Sequence, residues 1–153
     1  MSVSMRYGGG SRASGAQMGA GLKNLLSGVS WEDGTINING IVQDSTATDG
    51  RADRVSSEIP ATASQSFLVA VRHSVNSAPW IAIGQYTADG SVAAARTTFA
   101  TKYTKADIVY TWGIIDITST DTAYIRFSCR TWQSEDAGAL LLDITGSRNY
   151  VKP

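Results

Sequence analysis

Between positions 124 and 130 the chain reads Tyr-Ile-Arg-Phe-Ser-Cys-Arg, with an apolar residue at Ile125, Phe127 and Cys129. Successive side chains of an extended strand point to opposite faces, so such a run buries one face and offers the other to water, a partner or a ligand. A helix would scatter these three residues around its circumference, so the segment commits the chain to a sheet. The pattern recurs. Runs rich in Val, Ile, Thr and aromatic residues predict strands at 54–58, 66–73, 79–87, 91–98, 107–117, 122–130 and 138–145, and 35–42 alternates in the same way. Turn signals separate them: Asp33-Gly34, Asp49-Gly50, Asp89-Gly90, Ile59-Pro60 and the polar cluster at 119–122. No helical period of useful length follows residue 34. The expected fold is all-β, an antiparallel β-sandwich or jelly roll over residues 35–153.

Alternation also sorts the faces. Phe67, Val69, Val71 and His73 share one side of their run, and Ile125, Phe127 and Cys129 point to a core while Tyr124, Arg126, Ser128 and Arg130 point away. The run from Ile108 to Ile117 is apolar on both faces and reads two ways. Either Val109, Ile115 and Ile117 line the core with Tyr110 and Trp112 outward, or the reverse. Cys129 is the sole cysteine, so an intrachain disulfide is excluded and the residue is expected to pack as a small hydrophobe.

Residues 1–34 read differently, as an N-terminal arm. After the flexible Gly8-Gly9-Gly10-Ser11, the residues Met18, Leu22, Leu25, Leu26 and Val29 fall at helical spacing, with Ser14 as N-cap and Gly28 as terminator. Gly15, Gly19 and Gly21 each cost about 0.8–1 kcal/mol relative to Ala inside a helix, so this short helix does not stand alone in water. Its apolar face must dock, either on the chain's own β-domain or on another subunit. In the second case Met18, Leu22, Leu25 and Leu26 form an anchor.

Thirteen basic residues balance thirteen acidic ones, and no basic stripe interleaves with aromatics, so nucleic acid is not an expected partner. No apolar run is long enough for a membrane span, and no h-region of a secretory signal is legible, so no membrane is expected either. Catalysis finds little support. The single histidine, His73, lacks a Gly-x-Ser-x-Gly elbow, and the carboxylate pairs Glu32/Asp33 and Glu135/Asp136 are sequence neighbours that a strand would point apart. Asp44, Asp49 and Asp53 share one loop, but without a known Ca²⁺-ligand spacing, so neither metal nor cofactor is expected. A binding face is the stronger candidate. If Tyr110, Trp112, Tyr124 and Arg126 share a surface, bordered by Trp80 and Trp132, they make an aromatic and cationic platform suited to a glycan; the alternative places these aromatics in the core or a subunit interface. The stretch Ile-Ala-Ile-Gly-Gln-Tyr-Thr-Ala-Asp-Gly-Ser from Ile81 is expected to be a hairpin, with ligand contacts elsewhere.

Three segments carry a resemblance, in order: Arg54-Val55-Ser56-Ser57-Glu58-Ile59-Pro60, the Tyr86-Thr87-Ala88-Asp89-Gly90 hairpin, and Ala123-Tyr124-Ile125-Arg126-Phe127. Over roughly residues 41–145 the chain resembles the carbohydrate-binding-module-like β-sandwiches of bacteriophage tail fibres, baseplates and other virion appendages. The resemblance implies a virion structural protein held by its N-terminal arm to other virion proteins, a homo-oligomer with a trimer favoured, and a host surface glycan as possible ligand. A dedicated receptor-binding, lectin-like module is the alternative it leaves open.

Overall fold

Strands form where alternation lets one face be buried. The computed structural model describes residues 22–48, 50–74, 80–132 and 138–150, with backbone alone at 51, 73, 74, 131 and 132. The strands are β1 (Trp31–Asp33), β2 (Thr35–Ile36), β3 (Val42–Gln43), β4 (Arg51–Ser56), β5 (Ile59–Pro60), β6 (Ser66–Ser74), β7 (Trp80–Tyr86), β8 (Val92–Phe99), β9 (Thr101–Lys105), β10 (Ile108–Asp116), β11 (Tyr124–Trp132) and β12 (Leu140–Asp143). All pairings are antiparallel. The larger sheet runs β1-β4-β11-β7-β8, with β5 also paired to β11; the smaller runs β9-β10-β6-β12; β2 and β3 form a hairpin of their own.

Register brings the predicted core faces together. Phe127 lies opposite Ile83 and Cys129 opposite Ile81 in the larger sheet, while Ile115 lies opposite Phe67 in the smaller one. These side chains, with Val69, Val71, Ile117, Ile125 and Leu141, form one buried cluster shared by both sheets. Each fully buried aliphatic or Phe side chain contributes roughly 1.5–3 kcal/mol, so this cluster is the main source of stability. On β10, Val109, Thr111 and Ile115 are buried and Tyr110 is exposed, which selects the first of the two parities. The chain changes sheets at Ala100, between β8 and β9. There the Phe99 ring packs over Gly113, where any side chain would collide with it.

Four elements depart from expectation. Residues 35–42 are not one strand: Asn37 accepts hydrogen bonds from the amides of Asn39 (2.9 Å) and Ile41 (3.0 Å), and Gly40 takes φ +88°, so the segment folds back as the β2–β3 hairpin. Ile59-Pro60 forms β5 rather than a turn; it pairs only at the end of β11, where a proline without an N–H is tolerated. β9, Thr-Lys-Tyr-Thr-Lys, has no apolar alternation because all five residues are exposed at a sheet edge. β1 pairs with β4, so strand structure begins at Trp31, ahead of the expected boundary at 35.

The arm is also corrected where it is described. Ser14 and Met18 lie outside the described residues. Leu25–Gly28 is a 3-10 turn whose N-cap is Asn24, and Leu26 is buried in the chain's own core with Leu25 packed against it. Asn24 reaches the free edge of β12, donating to the Ala139 carbonyl and accepting from the Leu141 amide, both at 3.1 Å. Leu25 and Leu26 therefore dock on their own β-domain rather than on a partner, and Leu22 beside them is half-buried.

Candidate binding depression on the larger sheet

The two sheets have different outer faces. The β2–β3 hairpin lies across the outer side of β4, β11 and β7. Ile36 of the hairpin and, beneath it, Val55, Ala82 and Ser128 are fully buried. The following loop is pinned by Asp53, whose carboxylate takes Arg130 Nε at 2.6 Å, Arg130 Nη2 at 2.8 Å, Ser45 Oγ at 2.9 Å and the Thr46 amide at 3.1 Å. Burial by itself would raise the Asp53 pKa, but the hydrogen bonds from Arg130 and Ser45, the Arg130 charge and the Thr46 amide outweigh it and hold the carboxyl below its ordinary value. Both Asp53 oxygens are thus committed to protein donors, which leaves them unsuited to a cation. Asp44 is exposed on that loop, and Asp49 lies outside the described residues.

Where the β2–β3 hairpin ends, an open depression of about 350 Å³ remains, lined by Ile41, Val42, Tyr86, Gly90, Ser91, Val92, Tyr124 and Arg126. Its floor is built by a glycine. Gly84 and Tyr86 share one face of β7, and the Tyr86 ring lies back over the space that a Gly84 side chain would fill. From there the Tyr86 hydroxyl donates to the Gly40 carbonyl at 2.8 Å, and its ring stacks on Tyr124 with centroids 5.2 Å apart. Burial pushes the Tyr86 phenol up to about 12, despite the Arg126 charge nearby, so it stays neutral and serves as a fixed wall. Tyr124, its neighbour on β11, is half-buried and reachable.

The rim is polar on one side and apolar on the other. Arg126 Nη1 stands 3.4 Å from Glu32 Oε2, an exposed and therefore weak pair that leaves both groups able to turn to a ligand. Ile41 and Val92 are 52% and 37% exposed across the opening. The 87–91 turn closes the end through Thr87 N–H to Ser91 O (2.8 Å) and Gly90 N–H to Thr87 O (3.0 Å), with Gly90 at φ +91°. Asp89 accepts from the Thr87 hydroxyl and from the Ser91 amide, which hold its carboxyl at about 2 and spend it on the turn. The expected hairpin is therefore present, and it also walls the depression. The described lining offers apolar surface, hydroxyls and a guanidinium, with the Glu32 carboxylate beside Arg126 at the rim.

Of the residues singled out from sequence, Tyr124 and Arg126 meet here. Tyr110 and Trp112 do not, because β10 belongs to the smaller sheet and its outer face points the opposite way across the core. The single platform fails because β10 and β11, consecutive in sequence, pair with different neighbours. Trp132 pairs through its backbone with Arg51 at the far end of β11, roughly 25 Å from Tyr124 at strand rise; its side chain is outside the described set. Trp80 lies towards that same far end, with the Arg96 guanidinium 4.8 Å from its ring centroid. His73 is described by backbone alone, and Glu135 and Asp136 lie outside the described residues. The residues missed were Ile41, Val42, Tyr86, Gly90, Ser91 and Val92. A usable signal existed in Gly84-x-Tyr86, which clears a slot beside the ring on one strand face. No protein-family model, curated protein or solved structure matches the chain.

Proposed function

We propose that the protein is a non-catalytic bacteriophage virion component that displays a carbohydrate-binding β-sandwich of jelly-roll type. The observation that carries the binding reading is the depression where the stacked Tyr86–Tyr124 pair adjoins Arg126. A saccharide ring presents an apolar C–H face and a rim of hydroxyls. Tyr124, Val92 and Ile41 supply the apolar contact; Arg126, Glu32 and Ser91 supply donors and acceptors. The virion reading rests on the sequence resemblance. Because the chain's own core takes up Leu25 and Leu26, attachment to other virion proteins falls to the segment before Leu22, which includes Met18.

Binding is tested with purified wild type, Tyr124→Ala and Arg126→Ala on an array of host cell-wall saccharides. Each substitution is expected to weaken binding about tenfold, the equivalent of one lost charged hydrogen bond or ring contact. Undiminished binding by both variants overturns the site. Particles lacking the protein separate a structural role, in which assembly fails, from a dedicated receptor-binding role, in which assembled particles no longer adsorb.

A further inference from the structure

Taking the depression on the larger sheet to be a saccharide site, as proposed, we infer that it selects sugars carrying a carboxylate, which Arg126 binds in exchange for Glu32. Among the residues lining the depression, Arg126 alone carries a formal charge. Its side chain is only 21% exposed, yet among the described residues its one hydrogen bond is the 3.4 Å contact from Nη1 to Glu32 Oε2. A guanidinium presents a planar fork of N–H donors, and withdrawing it from water with most of them unspent costs free energy. Arg130, further along the same face of β11, shows the contrast. Asp53 accepts from its Nε at 2.6 Å and from its Nη2 at 2.8 Å, so that fork is filled. A two-oxygen acceptor of this shape is what the Arg126 fork lacks.

Glu32 fills the place loosely. It sits on β1, the short edge strand, and its side chain is 61% exposed, so it swings into water at little cost. The surroundings favour a ligand carboxylate in its stead. Burial pushes the Tyr86 phenol up to about 12 against the pull of the Arg126 charge, so this wall carries no negative charge at neutral pH. The Asp89 carboxylate, on the hairpin that closes the end, accepts from Thr87 and Ser91 and is committed to its own turn. A uronic-acid ring fits the remaining lining. Tyr124 and Val92 meet its C–H face, Ser91 meets a hydroxyl, and its carboxylate reaches Arg126. One guanidinium balances one carboxylate, whereas a phosphate monoester, with a charge of about −1.5 to −2, finds no second cation in the lining.

Oligosaccharides of uronic and nonulosonic acids, each printed on an array as the free acid and as its methyl ester, test this with the full chain. The ester keeps the ring and its hydroxyls and removes the charge. Wild type is expected to bind the acids about tenfold more tightly than their esters. That preference should shrink as salt rises from about 0.05 M to about 0.5 M. Arg126→Gln should bring each acid down to the level of its ester, and Arg126→Lys, which keeps the charge without the fork, should restore only part of the preference. Glu32→Gln removes the competing carboxylate and should tighten acid binding by up to about fivefold, more than it tightens ester binding. Because Glu32 is exposed at a sheet edge, this variant keeps the test valid if Arg126→Gln does not fold. Wild type that binds esters as tightly as acids overturns the carboxylate preference and leaves the saccharide site standing. Acid binding that falls in Glu32→Gln overturns the exchange. Tighter binding of poly(glycerol phosphate), printed beside the sugars, assigns the guanidinium to phosphate instead. No signal from any printed saccharide removes the saccharide site itself, and the preference with it.

Discussion

Asp53 and Arg130 illustrate how one residue pair sets a stability profile. The Asp53 side chain is fully buried while that of Arg130 is 24% exposed, so the carboxylate has lost its water and depends on its partners. Removing Arg130 leaves a buried, unpaired charge, and Arg130→Ala is expected to cost about 3–5 kcal/mol near neutral pH. The pH dependence follows from the direction of the shift. With the folded Asp53 pKa below its ordinary value, the unfolded chain takes up the proton first as pH falls. The stabilisation is therefore complete above the ordinary carboxylate range and is lost as pH falls through the folded value. In Arg130→Ala burial acts without the guanidinium, the folded pKa rises, and protonation relieves the variant. The gap between wild type and variant is thus widest at about pH 7 and narrows towards about pH 3, as urea unfolding at the two values would measure. A constant gap would mean that Arg130 acts through packing alone.

At the scale of elements, the 3-10 turn at Leu25–Gly28 decides where the foldable domain begins. Leu26 fills the core and Asn24 closes the β12 edge, so a truncation that removes only residues 1–21 keeps both contacts. Removal of residues 1–30 takes away both contacts and should lower stability by about 3–5 kcal/mol, readable by chemical denaturation of the two truncations side by side. Equal stability would show that the turn only rests on the core. The sequence made β6, β10 and β11 legible for a physical reason: each has one fully buried face, and burial writes an alternation; β7, buried on both faces, shows instead as a nearly unbroken run of uncharged, mostly apolar residues. β9 left no such trace because both its faces are exposed, and β2–β3 was masked by an alternation that Gly40 interrupts. The depression on the larger sheet was half legible. Tyr124 and Arg126 follow from strand parity, but their company depends on strand order, which no local pattern encodes. Tyr110 and Trp112 were grouped with them on parity alone and fall on the opposite side of the molecule.

Across the described residues, both sheets and the 3-10 turn share one core, and no second hydrophobic centre of that size separates them. Such a core is expected to open as a unit. Cys129 tests this from within: it is 3% exposed, opposite Ile81 and Arg54 in the larger sheet, and burial pushes its thiol up to about 11 despite the nearby Arg54 charge. Two barriers therefore protect it, lost access and a suppressed thiolate. In the folded protein a thiol reagent at about pH 8 should label Cys129 at least a thousandfold more slowly than in the denatured chain, the factor set by even a modest stability of about 5 kcal/mol. Along a urea series the labelled fraction should rise at the same midpoint as tryptophan fluorescence, because the thiol is reached only when the sheets part. Labelling that precedes the fluorescence change would instead point to local opening of the larger sheet beside Cys129, with β4, which flanks it on the side of the β1 edge, as the strand to test. The Arg130→Ala variant would then show that early phase enlarged, its β4 contact having been cut, while Tyr110→Glu on the opposite sheet would not.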